Sequence, residues 1–302
     1  MATDRVDPPA SPDSTVEIDA RLLRDWPLPE PGGTADKEER GSVLVLAGSR
    51  EMPGAAALAA SAALRAGAGK LVVATVESIA AGLALGLPEA RVVALPESDG
   101  GGFAPDGLVR LEPLLGQVDA VLVGPGLMDA AATRAFVRRL VKRTPRAAVV
   151  LDALAMDLVV DVRRFERPVL MTPHAGEMAH LVGVAKAQIV AEPERHAREA
   201  ALRWNAVVAL KGASTFIATP DGGCWCHVST HVGLATSGSG DVLAGLVAGL
   251  ATRGAPIAQA AAWGVALHSR AGRALAERIG PIGYLAGELA AEVPRLMQRL
   301  AH

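Results

Sequence analysis

Ala235-Thr236-Ser237-Gly238-Ser239-Gly240-Asp241-Val242-Leu243-Ala244-Gly245-Leu246-Val247-Ala248-Gly249 is the stretch from which the rest of the chain is best read. Small residues at 237 to 240 leave their amides unobstructed, and the apolar run after them predicts a helix over Val242 to Thr252. The first amides of a helix have no acceptor inside it and lie at the positive end of its dipole. Ser237, Gly238, Ser239 and Gly240 are therefore expected to form an anion hole. Asp241 can cap the helix. A carboxylate there can also take a proton from a hydroxyl while the amides hold charge developing on a transferred phosphoryl group.

Upstream, short β-branched runs alternate with Ala-rich segments. Strands are expected at Val43 to Ala47, Leu71 to Thr75, Arg91 to Leu95, Ala120 to Val123, Ala147 to Leu151, Val169 to Met171 and Val207 to Leu210. Helices are expected at Ala55 to Ala66, Ser78 to Leu87, Ala130 to Lys142 and Pro193 to Trp204. Such alternation implies an α/β fold with a central, mostly parallel sheet and helices on both faces. Pro220-Asp221-Gly222-Gly223 joins two further strands, Ser214 to Ala218 and Cys224 to Val228, as a hairpin, which makes the sheet mixed. Downstream of the anion hole, helices are expected over Ile257 to Arg278 and Tyr284 to Leu300. No composition shift or repeat divides the chain, so residues 16–302 read as one domain behind a Pro- and Asp-rich leader, 1–15, that is expected to be disordered.

Candidate chemistry gathers where strands end. The turn Ala47-Gly48-Ser49 leads into a helix start, and Gly124-Pro125-Gly126 comes directly after a strand, where open α/β sheets place ligands. The glycine spacing is not GxGxxG, and Gly69-Lys70 lacks the rest of a Walker A loop. Asp152 ends the strand Val149-Val150-Leu151 and either orients a ligand or caps the next helix. In Thr172-Pro173-His174-Ala175-Gly176-Glu177, His174 and Glu177 stand three apart at a helix start, so both can face one site. Lys211-Gly212 closes another strand and is suited to a nucleotide phosphate.

Of the 302 residues, 50% are hydrophobic and 21% charged, which excludes a disordered chain. The formal net charge of −2 offers no field for a nucleic acid. No run is long and apolar enough to suggest a membrane span, and no secretion signal is present, so a cytoplasmic location is expected. Cys224 and Cys226, the only cysteines, flank Trp225 on a strand and cannot hold a metal alone.

In this order the motifs resemble the ribokinase-like superfamily. More closely, GSVLVLAGSREMPGAAALAASAALRAGAGKLVVAT, VGPG, TPHAGE, LKGASTFIATPDG and ATSGSGDVLAG are similar to the NAD(P)H-hydrate dehydratases, over about residues 16–300. The resemblance implies an enzyme that repairs hydrated nicotinamide cofactors, (S)-NADHX and (S)-NADPHX, with ADP or ATP as the dehydrating co-substrate and ADP favoured. It implies that Ala55, Gly126, His174 and Asp241 contact the hydrated dinucleotide. Lys211, Gly212, Ala213, Ser214, Thr215 and Gly240 then hold the adenine nucleotide. It further implies Mg2+ between the phosphates with Glu177 in its outer shell, a homotetramer, and a separate epimerase acting upstream. The family's pattern has Gly at Ser237, Pro at Ala175 and Asn near His231, where this chain departs from it. A kinase of the same superfamily acting on a vitamin-precursor hydroxyl is the alternative reading.

Overall fold

The computed structural model describes residues 14–30, 32, 37, 39–229 and 231–301. Ten strands form a single sheet: β1 (Val16–Glu17), β2 (Ser42–Leu46), β3 (Lys70–Val76), β4 (Arg91–Leu95), β5 (Ala120–Val123), β6 (Ala148–Leu151), β7 (Leu170–Met171), β8 (Val207–Leu210), β9 (Ser214–Ala218) and β10 (Cys224–Val228). Their order is β1-β10-β9-β8-β7-β6-β5-β2-β3-β4. From β8 across to β4 every pair is parallel, and β9 alone runs antiparallel to both its neighbours.

The helices are α1 (Ala20–Asp25), α2 (Pro53–Arg65), α3 (Glu77–Gly86), α4 (Glu112–Leu115), α5 (Ala130–Arg143), α6 (Ala175–Val182), α7 (Lys186–Ala191), α8 (Pro193–Trp204), α9 (Ser239–Thr252), α10 (Ile257–Arg278) and α11 (Ala286–Ala301). Strand side chains alternate between faces. Val43 and Val45 of β2 join the core formed with α2, α9, α10 and α11, whereas Leu44 and Leu46 join the opposite core with α5 and α8. Both faces of the sheet are thus covered, as the uninterrupted apolar strands imply.

Several elements differ from the sequence-based expectation. Helix α9 begins at Ser239 rather than Val242 because Gly238, at φ +85°, is its cap and the two small residues after it are already helical. The last helix begins at Ala286 rather than Tyr284. Strand β1, helices α1, α4 and α7, and 3-10 turns at Pro105–Leu111, Ala153–Val160 and Val232–Leu234 are additional to those expected, while α6 begins at the helix start expected at His174. Most of the expected leader lies outside the described residues. Ser14 and Thr15 are bound to the body: the Arg198 guanidinium donates to the Ser14 carbonyl and to Thr15 Oγ1 at 3.2 and 3.0 Å.

Because β2, β5, β6, β7 and β8 run parallel, the turns at their carboxyl ends emerge at one edge of the sheet. Gly48, Gly124 to Gly126, Asp152, Thr172 to His174 and Lys211 are gathered there. The Gly48 amide donates to the Pro125 carbonyl at 2.8 Å and the Lys211 amide to the Pro173 carbonyl at 2.8 Å, which fixes neighbouring turns to one another.

Candidate active site

Helix α9 is held against α2 by absent side chains. A Cβ on Gly245 would lie 2.2 Å from the Ala59 carbonyl oxygen, and one on Gly249 would lie 2.3 Å from that of Ala63. The two backbones approach as closely as they do only because both positions are glycine. This packing delivers the amino end of α9 to the sheet edge. The Ser239 amide is committed to the Thr236 carbonyl at 3.3 Å. Those of Gly240 and Asp241 have no acceptor among the described residues.

Asp241 is the third residue of α9, and among the described residues no side chain caps the helix. Its carboxyl is pushed up to about 6, first by burial and then by the nearby charge of Asp152, with Lys211 working the other way. Lys211 Nζ lies 3.3 Å from Asp152 Oδ1 and 3.5 Å from where a Gly240 Cβ would stand. Burial works against the lysine's charge, but Asp152, Glu177 and Asp241 together outweigh it and hold its pKa above the ordinary value. Asp152 is 3% exposed, and its Oδ1 accepts from Thr172 Oγ1 at 2.6 Å as well as from Lys211. It makes no side-chain cap to the turn it precedes. Of the two roles open to it in the sequence, capping the next helix is not the one it fills. Two carboxylates therefore share one lysine; Asp152 has the direct bond, and Asp241 is left as the easily protonated partner.

His174 begins α6 in a reciprocal cap: its Nδ1 accepts from the Gly176 and Glu177 amides at 2.9 and 3.1 Å, and Glu177 Oε2 accepts from the His174 amide at 2.7 Å. An Nδ1 that accepts leaves the ring's proton on Nε2, so the exposed tip of His174 is a donor. Ala55 and Gly126 sit together on the α2 side: a Cβ on Gly126, which has φ +64°, would come within 2.6 Å of Ala55 Cβ. Gly238 touches the same helix, since a Cβ there would meet Leu58 Cδ1 at 2.5 Å.

A cavity of about 760 Å³ opens between β10, α9 and α10, and Lys211, Gly212, Ala213, Thr215 and Gly240 line it. Ser214 is the exception among the expected nucleotide residues. Its side chain does not line the cavity. Ser237 is exposed and likewise outside the lining. Sequence reasoning missed His268 of α10. This histidine lines the cavity, and its Nε2 lies 3.0 Å from the Ser239 carbonyl and 2.9 Å from Ser239 Oγ, so it holds the first turn of α9. Burial drives its pKa down to about 4, assisted by Lys211 and opposed by the Ser239 bond. No local signal marks it, because a single histidine in an Ala-rich helix has no pattern.

The donor set suits a magnesium ion carried mainly by nucleotide phosphates. Glu177 spends one oxygen on its own helix cap, and among the described residues no three His, Cys, Asp or Glu side chains converge to cage an ion.

A carboxyl of raised pKa, a lysine and helix amides with no acceptor among the described residues, all at one sheet edge, are the parts a phosphoryl-transfer site needs. The model of the family described as NAD(P)H-hydrate dehydratase matches residues 43–295. This chain belongs to that family. It is 47% identical over 283 residues to the ADP-dependent (S)-NAD(P)H-hydrate dehydratase of Xanthomonas campestris pv. campestris, covering 94% of this chain and 96% of the relative. It is 39% identical to the bifunctional NAD(P)H-hydrate repair enzyme of Moorella thermoacetica, over 90% of this chain but only 52% of that longer protein. Among solved structures, the Bacillus subtilis ADP/ATP-dependent NAD(P)H-hydrate dehydratase, co-crystallised with ATP and Mg2+, superposes with a TM-score of 0.82 at 31% identity, covering 95% of this chain and 99% of that one. A ribokinase-like superfamily protein of Enterococcus faecalis matches with a TM-score of 0.79 at 26% identity, over 95% and 96%. The fold is ribokinase-like, as the motif order implies.

Proposed function

We propose that this protein dehydrates (S)-NADHX and (S)-NADPHX to NADH and NADPH at the expense of ADP, with ATP as the less favoured co-substrate. The observation that carries the reading is the placement of Asp241, with its raised pKa, beside Lys211 and the unpaired amides of Gly240 and Asp241. Asp241 takes the proton from the hydroxyl of the hydrated ring as that oxygen attacks the terminal phosphorus of ADP, and AMP leaves. Lys211 and the amides offset the charge that develops on the phosphoryl group. Hydroxide is a poor leaving group and phosphate a good one. Loss of phosphate from the ring carbon, with loss of a proton from its neighbour, restores the dihydronicotinamide. The sum is hydrated NADH and ADP giving NADH, AMP, phosphate and a proton.

Ala55, Gly126 and the His174 Nε2 donor bind the dinucleotide, while Lys211, Gly212, Ala213, Thr215, Gly240 and the backbone of Ser214 hold the nucleotide. Magnesium bound to the phosphates supplies charge neutralisation, with Glu177 reaching it through water. The bifunctional relative, about twice as long, is named a repair enzyme; for this chain we assign epimerisation of the other diastereomer to a separate protein. A cytoplasmic homotetramer completes the proposal. No helix among the described residues is long and apolar enough to cross a membrane.

The test is direct. Hydrated NADH incubated with the protein regains the near-ultraviolet absorbance of NADH when ADP is added and releases AMP and phosphate in equal amounts. Nucleotide consumption only in the presence of an unrelated alcohol would identify a kinase instead.

A further inference from the structure

Two side chains in the wall of the nucleotide cavity each carry a buried polar atom with no partner among the described residues. His227 on β10 and Ser229 just beyond it stand two residues apart, on the same face of an extended segment, and both line the cavity. Among the described residues, His227 Nε2 and Ser229 Oγ are buried without a hydrogen-bond partner. A buried polar atom left unpaired is costly, so a ligand that satisfies it gains affinity.

The chemistry each atom offers is fixed. His227 Nδ1 lies 3.0 Å from the Ile18 carbonyl, which can only accept, so Nδ1 carries the proton. Nε2 is then a bare acceptor. Burial, with a smaller contribution from the Arg270 charge, lowers the histidine's pKa and keeps the ring neutral, against weaker opposition from the Ile18 bond and Glu17. The β1 segment that supplies Ile18 is itself tied to β10, with the Ile18 amide donating to the Cys226 carbonyl at 2.8 Å. Ser229 is held in place by its amide, which donates to the Ala213 carbonyl at 2.8 Å, while its hydroxyl rotates freely to donate. Between this wall and α10, Leu234, Leu243 and Val265 provide apolar surface for a flat ring.

We infer that His227 and Ser229 read the edge of the purine base and select adenine over 6-oxopurines. Adenine presents an exocyclic amine, a donor, beside a ring nitrogen that accepts; the bare Nε2 takes the first and the Ser229 hydroxyl serves the second. Hypoxanthine and guanine place a carbonyl oxygen where the amine stands and so set acceptor against acceptor. The inference rests on the reading that this cavity holds the nucleotide.

Calorimetric titration with ADP and with inosine diphosphate, which differ only in the base, tests it. Wild-type protein is expected to bind ADP about ten- to hundredfold more tightly, the effect of one good hydrogen bond and one removed mismatch. His227→Leu keeps an apolar body and should bring the two ligands within about threefold, chiefly by weakening ADP; His227→Gln, whose amide oxygen can accept, should recover part of the preference. Should His227→Leu fail to fold because the Ile18 bond is lost, Ser229→Ala breaks no backbone contact and must still reduce the preference. Equal binding by wild-type protein, or an unchanged preference in His227→Leu or Ser229→Ala, overturns the inference. Lys211→Ala is the control for the site. It should weaken both ligands by a similar factor, and no effect on either would place the nucleotide elsewhere and overturn the reading beneath.

Discussion

The proposed reactive unit is three side chains, Asp241, Asp152 and Lys211, drawn from three different elements. Because Asp241 titrates at about 6, its base form predominates only above that pH, and kcat/KM is expected to rise through an acid limb near 6. The neighbours move that limb in opposite directions. Lys211 lowers the Asp241 pKa and Asp152 raises it. Lys211→Ala should shift the limb upward and Asp152→Asn downward, and pH–rate profiles of the two variants check both signs. A limb that stays in place in both would mean that another group is being titrated. The local settings of Asp241 and Lys211 were legible in the sequence, because a carboxylate after a run of small residues at a helix start and a lysine before glycine at a strand end each imply a local geometry. Their relationship to Asp152 was not. The bond between Lys211 and Asp152 spans 59 positions and depends on β7 separating β6 from β8, a fact of topology that no local pattern carries.

Helix α9 and its seat on α2 set the site's dimensions. Gly245→Ala would drive a methyl group into the Ala59 carbonyl, and the expected loss is about 1–3 kcal/mol of stability, with activity falling as the amino end of α9 moves. Gly82→Ala in exposed α3 meets nothing within 4 Å and should instead stabilise by about 0.5–1 kcal/mol. Urea unfolding midpoints of the pair measure the contrast. Elements of this kind were largely readable: β8, β9, β10, α8 and α10 fall where their apolar runs and flanking Gly and Pro predict. Those that escaped are short or irregular. β1 is two residues whose strand character comes from pairing with β10, and the 3-10 turns at 105–111 and 153–160 lack the helical period. Ser214 departs from expectation for a related reason, since strand alternation turns it away from the cavity that Thr215 enters.

Across the whole molecule, two buried titrating groups pull stability in opposite directions. His268 has its pKa lowered to about 4 in the fold against an ordinary 6.5, so the unfolded chain binds more protons between those values and stability falls as pH drops through that window. Asp241, raised from 3.8 to about 6, binds more protons when folded and adds stability on acidification over that range. Unfolding curves from pH 4 to pH 7 should therefore flatten in His268→Asn and steepen in Asp241→Asn. The central claim, that Asp241 is the base, is tested most directly by single-turnover dehydration of hydrated NADH by Asp241→Asn at saturating ADP. No side-chain cap is lost, the side chain keeps its size, and ADP and hydrated NADH should still bind. Asparagine cannot take the hydroxyl proton, so the rate should fall by about 10²–10⁴-fold. A variant that retains more than about a tenth of the wild-type rate would contradict the assignment.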